Sequence, residues 1–206
     1  TERSRMVNKT DSDIFISIHF NASGNPASNR AGIQTYSYEE AAGYPSKINP
    51  YWHNHPDRIS ESNRLAADIH SSLLAETGAK DAGRLRSSFA VLRETNKPAV
   101  LLELGYIDNF NENQQVRSDA YQNRLVAGIV KRDSKILRRS IKKKSRENLE
   151  IFLYYFSYLL ASGKRNPIPT QAKTPAPITK PLESGKISRM ALAMIKAIIK
   201  LMRLAL

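Results

Sequence analysis

His19 lies near the end of the run Asp13-Ile14-Phe15-Ile16-Ser17-Ile18-His19-Phe20. Glu103 lies near the end of Pro98-Ala99-Val100-Leu101-Leu102-Glu103-Leu104-Gly105-Tyr106. An imidazole titrates near neutral pH, so it can move a proton or ligate a metal. A carboxylate inside an apolar run is costly to bury unless it has a partner. Each group ends a strand-like segment, and two such ends suggest a shared site. The alternative for His19 is a hydrogen-bonded histidine at a strand end, because a metal needs several donors.

Both segments read as buried strands. The first alternates β-branched and other residues and is bounded by polar turn formers. Successive strand side chains point to opposite faces. Ile14, Ile16 and Ile18 therefore share one face, and Phe15, Ser17 and His19 share the other. In the second segment Val100, Leu102 and Leu104 face one way, Leu101 and Glu103 the other. Pro98 opens that strand, where its missing N–H is tolerated, and Gly105 lets the backbone turn without a Cβ clash. His19 falls at the carboxyl end of its strand, where ligands collect in open α/β sheets.

Residues 32–38 alternate again and predict another strand. Residues 60–76 predict a helix with Leu65, Ala66, Ile69 and Leu73 on one face, Ser60 or Ser62 at its start and Thr77-Gly78 at its end. His70 is expected on that helix's surface, and residues 80–88 as a polar connection. Residues 89–93 predict a short strand, 111–116 and 119–130 two helices. His53 and His55 flank Trp52 in a polar loop. They read as an exposed loop on the substrate side in preference to a metal site, which would need third and fourth donors in register.

A chain of 206 residues suffices for one domain with a core and an appendage. Cysteine is absent, which excludes a disulfide framework and a thiolate metal site. The net charge of +13 is unevenly spread: residues 1–130 carry 14 Lys and Arg against 15 Asp and Glu, whereas residues 131–206 carry 18 against 4. Residues 132–165 predict a basic and apolar helical extension, 166–185 a Pro-rich linker, and 186–206 an amphipathic cationic helix. That helix suits either an anionic lipid surface or a protein partner. A cationic tail can also bind wall polyanions through counterion release. Nothing patterns it for sequence-specific nucleic acid. No charged n-region followed by an apolar stretch opens the sequence, so a secretory signal, if one exists, is expected upstream.

The segments DIFISIHFNAS and FAVLRETNKPAVLLELGYIDN together resemble the zinc-dependent N-acetylmuramoyl-L-alanine amidases of bacterial cell walls, the type 3 amidase family. The likeness spans residues 1–131, a partial catalytic domain. It implies an α/β fold: a twisted, mostly parallel sheet with flanking helices, here incomplete at the N-terminus and followed by the helical cationic tail. It implies that His19 is a zinc ligand and Glu103 the catalytic base. Two further ligands, a histidine and a glutamate, are expected from a segment before Thr1. The implied cofactor is Zn2+, the implied substrate is peptidoglycan, and the implied setting is the bacterial cell wall or the extracellular space. With one of three ligands identifiable, this polypeptide is expected to be inactive or nearly so. Where the family has an Arg-Gly pair, this chain reads Ala82-Gly83-Arg84, so Arg84 is a candidate contact to an anionic substrate group. Asn21 is expected to fix the loop beside His19. A polyanion- or membrane-binding protein acting through its tail is the alternative class.

Overall fold

The computed structural model describes residues 2–25, 28–130 and, as a strand, 151–155. In chain order the elements are α1 (Glu2–Asn8), β1 (Ile14–Asn21), β2 (Ile33–Tyr38), α2 (Pro56–Thr77), β3 (Asp81–Ser87), α3 (Ala90–Arg93), β4 (Ala99–Tyr106), α4 (Phe110–Arg117), α5 (Asp119–Val130) and β5 (Ile151–Tyr155). The strands form one sheet in the order β3-β2-β4-β1-β5. Three pairings are parallel, and β2 runs antiparallel to β4. This is the mostly parallel α/β sheet expected from the sequence, with one reversed strand pairing.

The two faces of β1 and β4 bury different clusters, as the alternation requires. Ile14, Ile16, Ile18, Val100, Leu102 and Leu104 pack under α2 and α5, against Leu65, Ile69, Leu73, Leu125 and Ile129. Phe15, Ala99 and Leu101 pack on the other side against Val7 of α1 and Val91 and Leu92 of α3. A strand covered on both faces gains from apolar side chains at every position, and this explains the nearly unbroken runs. On the α5 side, a Cβ at Gly128 would lie 2.8 Å from the Cα of Leu73, so the glycine lets the two helices close together.

Several expectations need correction. α2 begins at Pro56, ahead of Ser60 and Ser62. Proline suits the first helical turn, where its missing N–H costs nothing. Ser62 instead donates from Oγ to the Arg58 carbonyl and accepts from the backbone N–H of Ala99. The helix ends at Gly78 in the left-handed conformation (φ 65°), as Thr77-Gly78 predicted. Residues 81–87 are an edge strand, not a connection; largely exposed, they carry no apolar alternation. Residues 89–93 turn as the helix α3 instead of forming a strand. Side chains brace that turn: Arg58 donates to the Leu92 carbonyl at 2.9 Å and Arg93 to the Ser88 carbonyl at 2.6 Å.

Of the segment expected as a helical extension, residues 151–155 form a strand paired parallel to β1. Ile-Phe-Leu-Tyr-Tyr is short, aromatic and β-prone. The rest of residues 132–206, with the expected linker and cationic helix, lies outside the described residues. Among the described residues no helix is long and apolar enough to cross a membrane.

Candidate functional site

The register of β1 on β4 pairs Phe15 with Ala99, Ser17 with Leu101 and His19 with Glu103. Directly paired residues on neighbouring strands share a face and lie about 5 Å apart at the backbone. His19 and Glu103 therefore project side by side from the α1/α3 face, at the carboxyl ends of both strands. On the far side of β4, the antiparallel pairing places Gln34 opposite Glu103. His19, Glu103 and Gln34 thus form a row across three strands.

Burial sets the electrostatics of this row. Desolvation, helped by the charge of Arg3, lowers the pKa of His19 from 6.5 to about 4, so the imidazole is neutral at physiological pH. Its Nε2 lies 2.9 Å from the buried Ser17 Oγ, one step back along the same face. Desolvation raises the Glu103 carboxyl from 4.5 to about 8. One Glu103 oxygen, Oε2, is buried without a hydrogen-bond partner. Burial, reinforced by the Glu103 charge, pushes the phenols of Tyr36 and Tyr106 up. A carboxyl whose pKa is raised by burial, beside a neutral imidazole, is the type of perturbed pair that marks functional sites.

Gln34 organises the surroundings. Its Oε1 accepts from Asn21 Nδ2 at 2.8 Å, Tyr36 OH at 3.3 Å and Tyr106 OH at 3.4 Å. Asn21 also accepts the Ala22 N–H on its Oδ1 at 2.8 Å, so it does hold the turn after His19. Beneath Glu103 the chain turns at Gly105, with φ 125°. Glu112 fastens this turn: its Oε2 accepts the Tyr106 N–H and its Oε1 the Gly32 N–H, both at 2.7 Å. The start of β2 and the end of β4 are thereby tied to one carboxylate. Asn109 caps α4, accepting from the N–H groups of Asn111 and Glu112.

Sequence reasoning missed Gln34, Tyr36, Tyr106 and Glu112. Asn109 followed three residues later by Glu112 has the pattern of a capping box, which could have marked α4's start. The reach of Glu112 to Gly32 carries no local signal.

The other candidates are not brought to the row. Arg84 lies on the edge strand β3, with β2 between it and Glu103. It is registered with Thr35, whose hydroxyl turns toward His70 of α2, so Arg84 belongs to the opposite face. His53 is buried, not exposed, and contacts the Tyr38 hydroxyl at 3.0 Å, at the end of β2 remote from Gln34. His55 stacks on Trp52 with ring centroids 4.6 Å apart. His70 is also buried, not on the helix surface: its Nδ1 meets Thr35 Oγ1 at 3.0 Å and its Nε2 meets Asp81 at 2.9 Å.

This placement decides what metal the chain's own groups can hold. A neutral, buried imidazole is a competent donor, and His19 fits as one ligand. A tetrahedral zinc of the catalytic kind needs three protein ligands. Of the chain's other three histidines, His53 and His70 bond elsewhere and His55 lies against Trp52. Among the described residues no group of three His, Cys, Asp or Glu is placed to hold a metal ion. The residues present do not by themselves fit zinc.

Comparison with known proteins bears on this site. A family model described as N-acetylmuramoyl-L-alanine amidase matches residues 1–132. The uncharacterized protein YqiI of Bacillus subtilis (strain 168) is 31% identical over 129 residues, 63% of this chain and 53% of that protein. The endolysin of Bacillus phage SPP1 is 29% identical over 144 residues, 70% of this chain and 46% of its own length. The chain thus spans about half the length of these curated relatives. Among solved structures, the catalytic domain of CwlV, an N-acetylmuramoyl-L-alanine amidase from Bacillus (Paenibacillus) polymyxa var. colistinus, superposes with a TM-score of 0.51 at 29% identity. That likeness covers 69% of this chain and 65% of the other.

Proposed function

This chain belongs to the N-acetylmuramoyl-L-alanine amidase family, and on that premise we propose that it is the part of a peptidoglycan hydrolase that supplies the acid–base carboxyl and one metal-ligating imidazole. The bond cleaved is the amide between the lactyl group of N-acetylmuramic acid and L-alanine of the stem peptide. The observation that carries the reading is the pairing of His19 with Glu103 on neighbouring parallel strands.

In this reading Glu103 moves the protons. It takes one from the attacking water and delivers it to the leaving amine, and a carboxyl of raised pKa suits the second task. The base task needs the ionised form, which a positive charge nearby favours. His19, uncharged, is the donor that faces it. Zinc, where three protein donors hold it, acidifies water and polarises a carbonyl; its remaining ligands are assigned to donors outside the described residues. Site of action is the cell wall or its exterior, where the substrate is.

The 206-residue chain alone is proposed to hold zinc below stoichiometric amounts and to release little or nothing. The test is the appearance of new L-alanine amino termini from purified peptidoglycan, with zinc and with chelator. It is run on this chain and on any longer product of its reading frame. Chelator-sensitive release by the 206-residue chain refutes the inactivity. A longer product that binds zinc and still releases no L-alanine termini refutes the amidase reading.

A further inference from the structure

The face of the sheet opposite the His19–Glu103 row carries a cleft of about 680 Å³ between the N-terminal half of α2 and the edge strand β3. Its α2 wall includes Pro56, Ile59, Ser60, Asn63 and Arg64, positions that recur at helical spacing on one face, and Arg84 closes it from β3. Two arginines thus line one concavity. Among the described residues neither makes an ion pair with a carboxylate. Arg64 reaches only Ser60 Oγ, at 3.4 Å. The acid near Arg84 is Asp81, already engaged by His70 and by the Gly83 N–H. Arg86 is registered with Ser37, on the same face as Arg84, and extends the basic strip along the edge. Like charges that share a concavity repel, and an anion between them relieves this.

We propose that this cleft is a second binding site, for a carboxylate-bearing peptide. The inference rests on the amidase reading in one respect, the choice of the peptidoglycan stem peptide as that ligand. Planar guanidinium forks match carboxylates bidentately. Pro56 and Ile59 offer an apolar floor and Ser60 and Asn63 hydrogen-bonding groups, the usual division of labour in a peptide pocket. β3 is the last strand of its sheet on that side, so an extended peptide can also run along its free edge. The chain's own residues 131–206 are an unsuitable occupant, since they carry 18 Lys and Arg against 4 Asp and Glu. A site away from the reacting pair gives a polymeric substrate a second hold, which raises local concentration without touching the chemistry.

The test uses the full chain and a soluble stem tetrapeptide, with its carboxylates free or all amidated, read by calorimetry and amide chemical shifts. The free-acid peptide is expected to shift amides around Ser60, Asn63 and Arg84 and to bind about tenfold more weakly to the Arg64→Gln/Arg84→Gln double variant. Both arginines are exposed, so the fold is retained, and the variant keeps the cationic tail as an internal control. The amidated peptide is expected to bind both proteins equally weakly. Equal binding of the free acid to both proteins, or shifts confined to the row around Glu103, overturns the proposal. So does inorganic phosphate competing as well as the peptide, since the site then takes any small anion. Neither readout requires hydrolysis: a longer, zinc-binding product that releases no L-alanine termini sinks only the functional reading, and loss of cleft binding with that release intact sinks only this one.

Discussion

Replacing Glu103 by glutamine is expected to stabilise the fold, and increasingly so as pH rises. In the folded chain burial holds the carboxyl at a pKa of about 8, against an ordinary 4.5. Between those values the folded state keeps a proton that the unfolded chain gives up, so stability falls with rising pH. The slope is about 1.4 kcal/mol per pH unit for one such group. Across pH 5 to pH 8 this comes to about 4 kcal/mol as an upper bound. The carboxyl is only partly shielded from water, which screens some of the cost, so a difference of about 2 kcal/mol is expected. Glutamine has nearly the same shape and no charge to desolvate. The assay is urea unfolding of the wild type and Glu103→Gln at several values from pH 5 to pH 9, with unchanged slopes as the control for two-state behaviour. The variant's advantage must grow up to about pH 8 and then level off. An advantage that does not change with pH, or a variant less stable at pH 9, refutes the claim that burial burdens this carboxyl.

The mirror-image effect is expected at His19. Its pKa is lowered to about 4, so below pH 6.5 the unfolded chain takes up a proton that the folded chain refuses, and stability falls as pH drops. His19→Gln is expected to remove about 2 kcal/mol of this acid-side loss between pH 6.5 and pH 4, measured by the same unfolding series; an unaltered acid limb counts against it. Glu112→Gln exchanges one of two carboxylate oxygens for an NH2 group facing a backbone N–H. It is expected to cost about 2 kcal/mol and to speed amide exchange at Gly32 or Tyr106. Protection unchanged at both amides contradicts the clamp.

How much was legible in the chain depends on where each residue finds its partners. β1 and β4 were readable because both faces are buried, so Ile14, Ile16 and Ile18 and then Val100, Leu102 and Leu104 impose a period of two, with Ser17 the polar residue inside β1 and the others toward the carboxyl ends. The reach of α2 to Pro56 was not, because residues 53–59 look like loop and their helical order depends on Arg58. That side chain is buried and bonds the carbonyls of Trp52, His53 and Leu92. β3 escaped because an exposed edge strand needs no apolar alternation. His70 was misplaced for a similar reason: its two partners, Thr35 and Asp81, come from β2 and β3 and make a buried imidazole affordable only in three dimensions. His19 and Glu103 could be picked out individually. Their adjacency followed from the family likeness, and the register gives it a physical form. Gln34 gave no sign, because an amide in an alternating strand is ordinary until two tyrosines and an asparagine converge on it.

The pair is also where local rules of stability are broken. Burial raises one acid and, with the charge of Arg3, lowers one base, and a buried carboxyl oxygen is left without a donor. Glu94, equally an acid within the fold, accepts from Ser46 Oγ and from the N–H groups of Lys47 and Ile48, which hold its carboxyl below the usual range. Two glutamates, one at the end of α3 and one in β4, are thus pushed in opposite directions, one by bonds and one by burial. That contrast is what the proposed proton-transfer role of Glu103 draws on.

Whether His19 and Glu103 form one centre is settled most directly by following the His19 ring signals by NMR through a pH titration. With the two groups side by side, ionisation of Glu103 must be felt at the imidazole. The His19 resonances are expected to show a second inflection near pH 8, and Glu103→Gln should abolish it. His19 signals that stay flat from pH 6 to pH 10 in the wild type would contradict the shared centre.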